Sequence, residues 1–271
     1  MRSYSRFAAA ALALVMIAPL ALTACGQSRA PEPEPQTAPA SGIVSVRPGE
    51  VALLCDAIND PTILTATGPD ETGVFTVREY NKANNGDLTR ERRARWGEEE
   101  GAAGSRIQPI NDENGAMIAS VRWLNEGMLE DASAAYTPPL VGVQIEGGPT
   151  LDCRWYARTR ALGFTGQRSF VVAEDADGDL IYRSFDFSNA ARAQRVELDG
   201  AQRTTTFNVE VRDGREMTRP DITQFEFDNQ GVTYRVFTAA NAPPALSVLR
   251  AGNVAQSDAI TAYQAPQAVA E

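Results

Sequence analysis

The chain has 271 residues, 43% of them hydrophobic, with a formal charge of −10 and no histidine. That excludes Ser-His-Asp and Cys-His catalysis, His-ligated zinc and His-held haem. Net acidity makes the chain a poor non-specific binder of nucleic acid or of anionic lipid. From the N-terminus, Arg2 and Arg6 precede the uncharged apolar run FAAAALALVMIAPLAL, and small residues follow up to Cys25. A basic region, an apolar region and a small-residue cleavage point predict a secretory signal peptide over 1–24. The run is too short to favour a membrane-spanning helix of about 20 residues.

Leu22-Thr23-Ala24-Cys25 sharpens that reading. A branched aliphatic, two small residues and a cysteine resemble the lipobox of bacterial lipoproteins. The resemblance covers only the leader, and 43–271 resembles no family that could be named from sequence. It implies a diacylglyceryl thioether on the Cys25 sulfur, cleavage after Ala24 and acylation of the new amino terminus. Each buried methylene contributes about 0.8 kcal/mol, so two or three acyl chains make a firm membrane anchor. In such proteins an aspartate after the cysteine favours the inner membrane. Gly26 therefore implies the outer membrane of a Gram-negative envelope, facing the periplasm.

Residues 25–42 continue as a tether. GQSRAPEPEPQTAPASG has four prolines and no bulky apolar side chain, so it cannot offset its ordering entropy. Its composition predicts an extended spacer of about 3 Å per residue.

With Cys25 lipidated, Cys55 and Cys153 remain. An even pair in an oxidising compartment is expected to form a disulfide, the alternative being two buried thiols. Redox catalysis is not expected, because no C-x-x-C occurs.

The rest, 43–271, reads as one β-rich periplasmic domain, or as two subdomains at about 43–160 and 161–271. Period-two alternation marks GVFTVREY (73–80) and AMIASVRWL (116–124). PLVGVQIE and LDCRWYAR flank Gly147-Gly148-Pro149. RSFVVAED and LIYRSFDF flank Ala176-Asp177-Gly178-Asp179. TTTFNVEVR precedes Asp213-Gly214, TQFEF and VTYRVFTA flank Asp228-Asn229-Gln230-Gly231, and ALSVLR and AITAYQ close the series. Recurrent turn signals predict an antiparallel sandwich or barrel. One exception is predicted: the Arg-, Glu- and Ala-rich stretch 87–104 as a short helix or mobile insertion. There Asp87 would cap the helix, Gly97 would end it, and Glu91 would pair with Arg95.

Candidate sites are few. EDADGDLIYRS places Asp175 and Asp177 as in a calcium loop, but Ala173 and Ser184 stand where acids are needed, so a hairpin turn is expected. Arg90, Arg92, Arg93 and Arg95 form a possible phosphate clamp, which Glu98, Glu99 and Glu100 would largely cancel. Trp96, Trp123 and Trp155 could stack sugars, although Trp123 and Trp155 lie in strand-like stretches where core packing is ordinary. Lys82, the one lysine, sits in the loop-like NKANNGD. No cofactor, metal or catalytic residue is expected. The expected function is a non-catalytic binding, scaffold or assembly-accessory module. It would be held to the membrane by lipid on Cys25 and partnered by an envelope protein or cell-wall component, with no nucleic acid. The alternatives are an inhibitor protecting against a cell-wall hydrolase, or a carboxylate-dependent envelope enzyme.

Overall fold

The structure is a computed structural model that describes residues 47–102, 104–188 and 209–266. The expected signal peptide over 1–24, Cys25 and the expected tether over 25–42 lie outside the described residues, as does the 204–208 portion of TTTFNVEVR.

Among the described residues, eighteen strands make two antiparallel sheets of nine. The first holds β1 (Leu53–Asp56), β2 (Thr62–Ala66), β3 (Val74–Asn81), β4 (Asp87–Trp96), β5 (Glu100–Ala102), β6 (Ser105–Asp112), β7 (Met117–Leu124), β8 (Leu140–Ile145) and β9 (Thr150–Asp152). The second holds β10 (Thr159–Thr165), β11 (Arg168–Glu174), β12 (Leu180–Asp186), β13 (Val209–Val211), β14 (Arg215–Arg219), β15 (Ile222–Asn229), β16 (Val232–Ala239), β17 (Ala242–Arg250) and β18 (Asn253–Gln264). Short 3-10 turns occupy Lys82–Asn84, Glu126–Met128 and Ala132–Ala134. The expected mainly β, antiparallel, barrel-like architecture is therefore observed. The alternating segments and the turns between them match β3, β7, β8–β9, β11–β12 and β15–β18.

The stretch 87–104 is the correction. It is neither helix nor insertion: β4 pairs along β3 from Val74↔Arg95 to Asn81↔Asp87. Glu91 bonds across the strands to Arg78 at 2.6 Å, not along a helix to Arg95. Helix propensity differs by tenths of a kcal/mol per residue and is overridden by pairing with an adjacent strand already anchored in the core.

The first sheet runs β1-β2-β3-β4-β6-β7-β8-β9, with β5 also on β6. Its two ends meet. Ala57 bridges to Cys153, Ile58 N–H donates to the Asp152 carbonyl at 2.8 Å, and Arg154 N–H donates to the Asp56 carbonyl at 3.0 Å. The Cys55–Cys153 disulfide crosses the same seam, with the Cα atoms 4.8 Å apart.

Strand alternation sorts the side chains. Leu53, Cys55 and Ala57 enter the first core with Phe75, Val77, Ala94, Val121, Trp123 and Val143. Leu54, one residue out of phase, enters a different cluster with Ile63, Tyr80, Leu162, Phe164, Val171 and Phe185. That cluster draws on both sheets and is the apolar layer between them. Each such side chain, when fully buried, contributes about 1.5–3 kcal/mol. The second sheet runs β13-β12-β11-β10-β18-β17-β16-β15-β14 and curls, so that Tyr182 of β12 stacks on Tyr234 of β16. A further link joins the sheets: Val51 N–H donates to the Tyr263 carbonyl and Tyr263 N–H to the Gly49 carbonyl, both at 2.9 Å.

Candidate functional site

Because Leu54 faces the layer between the sheets, so does Asp56, two residues on. Its carboxylate is 1% exposed. Leaving a charge there unpaired would cost several kcal/mol. Two cations meet it. Arg154, next to Cys153 across the seam, directs Nε to Asp56 Oδ2 at 2.8 Å. Lys82, at the tip of the β3–β4 hairpin, places Nζ 2.8 Å from Oδ1. That contact pairs the charges without the alignment of a hydrogen bond, and Nζ bonds instead to the Ala57 carbonyl. Arg154 also lies over the Phe185 ring, 3.5 Å from its centre, which ties the cluster to β12 of the second sheet. Burial raises the Asp56 pKa, but the charges of Lys82 and Arg154, with the Arg154 hydrogen bond, more than reverse that and hold it at about 2.

Local backbone explains how Lys82 reaches so deep. Asn81 caps the 3-10 turn by accepting from Ala83 N–H, and Asn85 and Gly86 take positive φ to reverse the chain into β4. A Cβ on Gly86 would meet the Thr165 carbonyl at 3.2 Å, so the turn is seated against the second sheet. Beside it opens a cleft of about 590 Å³, lined among others by Lys82, Asn85, Gln167, Arg168 and Asp186.

Lys82 therefore lies in a turn, as the sequence implied, but is buried and ion-paired, which the sequence did not convey. One signal could have found the cluster. Asp56 and Arg154 follow Cys55 and Cys153, so pairing the cysteines brings an acid and a base together at the same 98-residue separation.

The remaining candidates take ordinary places. Trp123 is buried in the first core, and Trp96 packs on Phe75 with ring centres 4.7 Å apart. Trp155 donates to the Thr137 carbonyl and hydroxyl. Asp175 Oδ1 accepts from the N–H groups of Asp177 and Asp179, a hairpin turn with Gly178 at φ 90°. The arginines of β4 are not cancelled by Glu98–Glu100 as expected. Arg92 and Arg90 share Glu79, at 2.6 and 3.7 Å, and Arg93 lies 3.5 Å from Glu113. Glu99 pairs with Arg106 instead.

No protein-family model matches the chain, and no curated protein matches it. Among the described residues, no group of three or more Cys, Asp or Glu side chains is gathered to hold a metal ion, and no helix is long and apolar enough to cross a membrane.

Proposed function

We propose that the chain is a lipid-anchored lipoprotein of a Gram-negative envelope whose β-rich part acts as a non-catalytic binding, scaffold or assembly-accessory module. The anchoring half of the reading rests on the lipobox-like Leu22-Thr23-Ala24-Cys25 and the proline-rich spacer behind it. The other half is supported by the Asp56–Lys82–Arg154 cluster. The only lysine of the chain, the one Schiff-base candidate, is spent on a carboxylate and a backbone carbonyl between two sheets. Such an arrangement ties the β1–β9 seam to the β3–β4 hairpin and, through Arg154 on the Phe185 ring, to the second sheet, which suits a holding role.

Two measurements test the reading. Metabolic labelling with a palmitate analogue should mark the wild type and not Cys25→Ser, and an unlabelled wild type would remove the anchor. Mild cross-linking of the anchored protein should then recover a defined envelope component in stable complex. Recovery of the intact lipoprotein alone would count against a binding or assembly role.

A further inference from the structure

The β3–β4 hairpin outruns its neighbour. Strand β6 pairs with β4 only from Ala94↔Asp112 to Trp96↔Ile110. Past Asp112 the chain turns away, with the Asp112 carboxylate accepting from Asn114 and Ala116 N–H. Among the described residues, the Asp87–Arg93 part of β4 is therefore paired on one side only. At about 3.4 Å per residue it is roughly 24 Å of strand edge. All seven residues except Arg92 are exposed, including Leu88 at 51%.

The direction of the free backbone groups follows from their neighbours. Gly97 N–H donates to the Pro109 carbonyl of β6, so odd-numbered residues of this part of β4 turn their backbone groups toward β6. The other side agrees. Thr67 N–H donates to the Thr76 carbonyl, which turns even-numbered β3 residues away from β4 and leaves odd ones facing it, as Val77↔Arg92 and Glu79↔Arg90 pairs. Arg93 and Glu91 thus point N–H and C=O into the open edge. The register shift at Thr89 changes the phase and adds Leu88.

The side chains flanking this edge select what joins it. Arg90 and Arg92 have one acid between them, Glu79. On the other face Glu91 is taken by Arg78, and Arg93 lies 3.5 Å from Glu113 and within electrostatic reach of Asp70. A second copy of the chain fits less well: antiparallel self-pairing about a two-fold axis sets Arg90, Glu91 or Arg92 against its own copy, and like charges directly opposite are destabilising, offset by Glu91–Arg93 pairs only in the Arg92-centred register. An acidic strand meets no such conflict and can bring carboxylates closer to Arg90 and Arg93 than Glu79 and Glu113, which lie 3.7 and 3.5 Å away.

We propose that the Asp87–Arg93 edge of β4 is a docking site for an extended, proline-free, acidic segment of another envelope protein, added as a further strand of the first sheet. This deepens the binding role proposed above and rests on it. Backbone hydrogen bonds to Leu88, Glu91 and Arg93 would supply the pairing, and the arginines the preference for acids.

The probe is a fluorescein-labelled peptide about ten residues long, alternating Thr and Glu and blocked at both ends. Fluorescence anisotropy is read with the full-length protein in mild detergent and low salt, where surface charge is least screened. Saturable binding is expected. It should weaken about tenfold or more when alternate peptide amides are N-methylated, a change that leaves charge and side chains intact. Glu91→Pro, which removes an outward N–H that serves no bond within the sheet, should do the same with an unchanged circular dichroism spectrum. Three results with the peptides overturn the proposal. One is no saturation up to about 1 mM. Another is equal affinity for the N-methylated peptide, which would mean attraction of charge alone. The third is equal affinity for a Thr-Lys peptide. A Glu91→Pro protein that loses the peptide but still cross-links to its envelope partner would overturn this surface and leave the lipoprotein reading standing. Failure of Cys25 labelling would do the reverse.

Discussion

Replacing Asp56 by Asn changes almost no volume but removes the single anion between Lys82 and Arg154. A carboxyl held at about 2 rather than at 3.8 is stabilised in its charged form by roughly 2–3 kcal/mol. The substitution also strands two buried cations, and breaking a buried pair in this way costs about 3–5 kcal/mol. For a domain of this size each kcal/mol lowers the midpoint by about 2–4 °C, so Asp56→Asn should melt roughly 6–20 °C below wild type at neutral pH. Thermal and urea unfolding followed by circular dichroism, with the disulfide intact, measure both quantities. The triple replacement Asp56→Leu, Lys82→Met, Arg154→Met removes all three charges together and should lie within about 2 kcal/mol of wild type. The folded-state pKa of Asp56 is depressed, so its contribution is complete above about pH 4 and is lost as the pH falls toward 2. Wild type should lose that increment on acidification and Asp56→Asn should not. A single variant within 1 kcal/mol of wild type, or a triple variant weaker than the single one, would refute the argument.

Removing the disulfide with Cys55→Ser and Cys153→Ser opens a 98-residue loop in the unfolded chain and should cost about 4–5 kcal/mol in urea unfolding. A midpoint unchanged in the doubly substituted protein would contradict this. Gly163→Ala would put a methyl 2.7 Å from the Phe170 ring and 2.9 Å from the Ala262 carbonyl, so a loss of about 1–3 kcal/mol is expected from the same assay. Arg93→Ala, at an exposed and loose ion pair, should shift stability by less than about 1 kcal/mol.

The strands were largely legible because each half-buried strand advertises itself by alternation, as in Phe75 and Val77 of β3 or Val143 and Ile145 of β8. Strand β4 was not, because most of its side chains are exposed and only Ala94 is buried. With its inward face reduced to one small residue, helix-favouring Arg and Glu dominate the pattern. Pairings distant in sequence, such as β10 with β18, leave no local mark at all. Nor did the position of Lys82. Asn and Gly around it encode the turn, whereas its burial depends on the second sheet, whose approach is set by Phe164, Phe185 and Phe187 far downstream.

The seam between β1 and β9 also has a mechanical meaning. A pull on the chain from the N-terminal side first loads the two hydrogen bonds between Gly49–Val51 and Tyr263, then reaches Cys55. There the covalent bridge diverts the load straight to Cys153. The strands between the two cysteines are shunted out of the force path and cannot be drawn out while the bridge holds. Extension must instead come from the second sheet, which makes the first a rigid body under tension and the second its compliant mount.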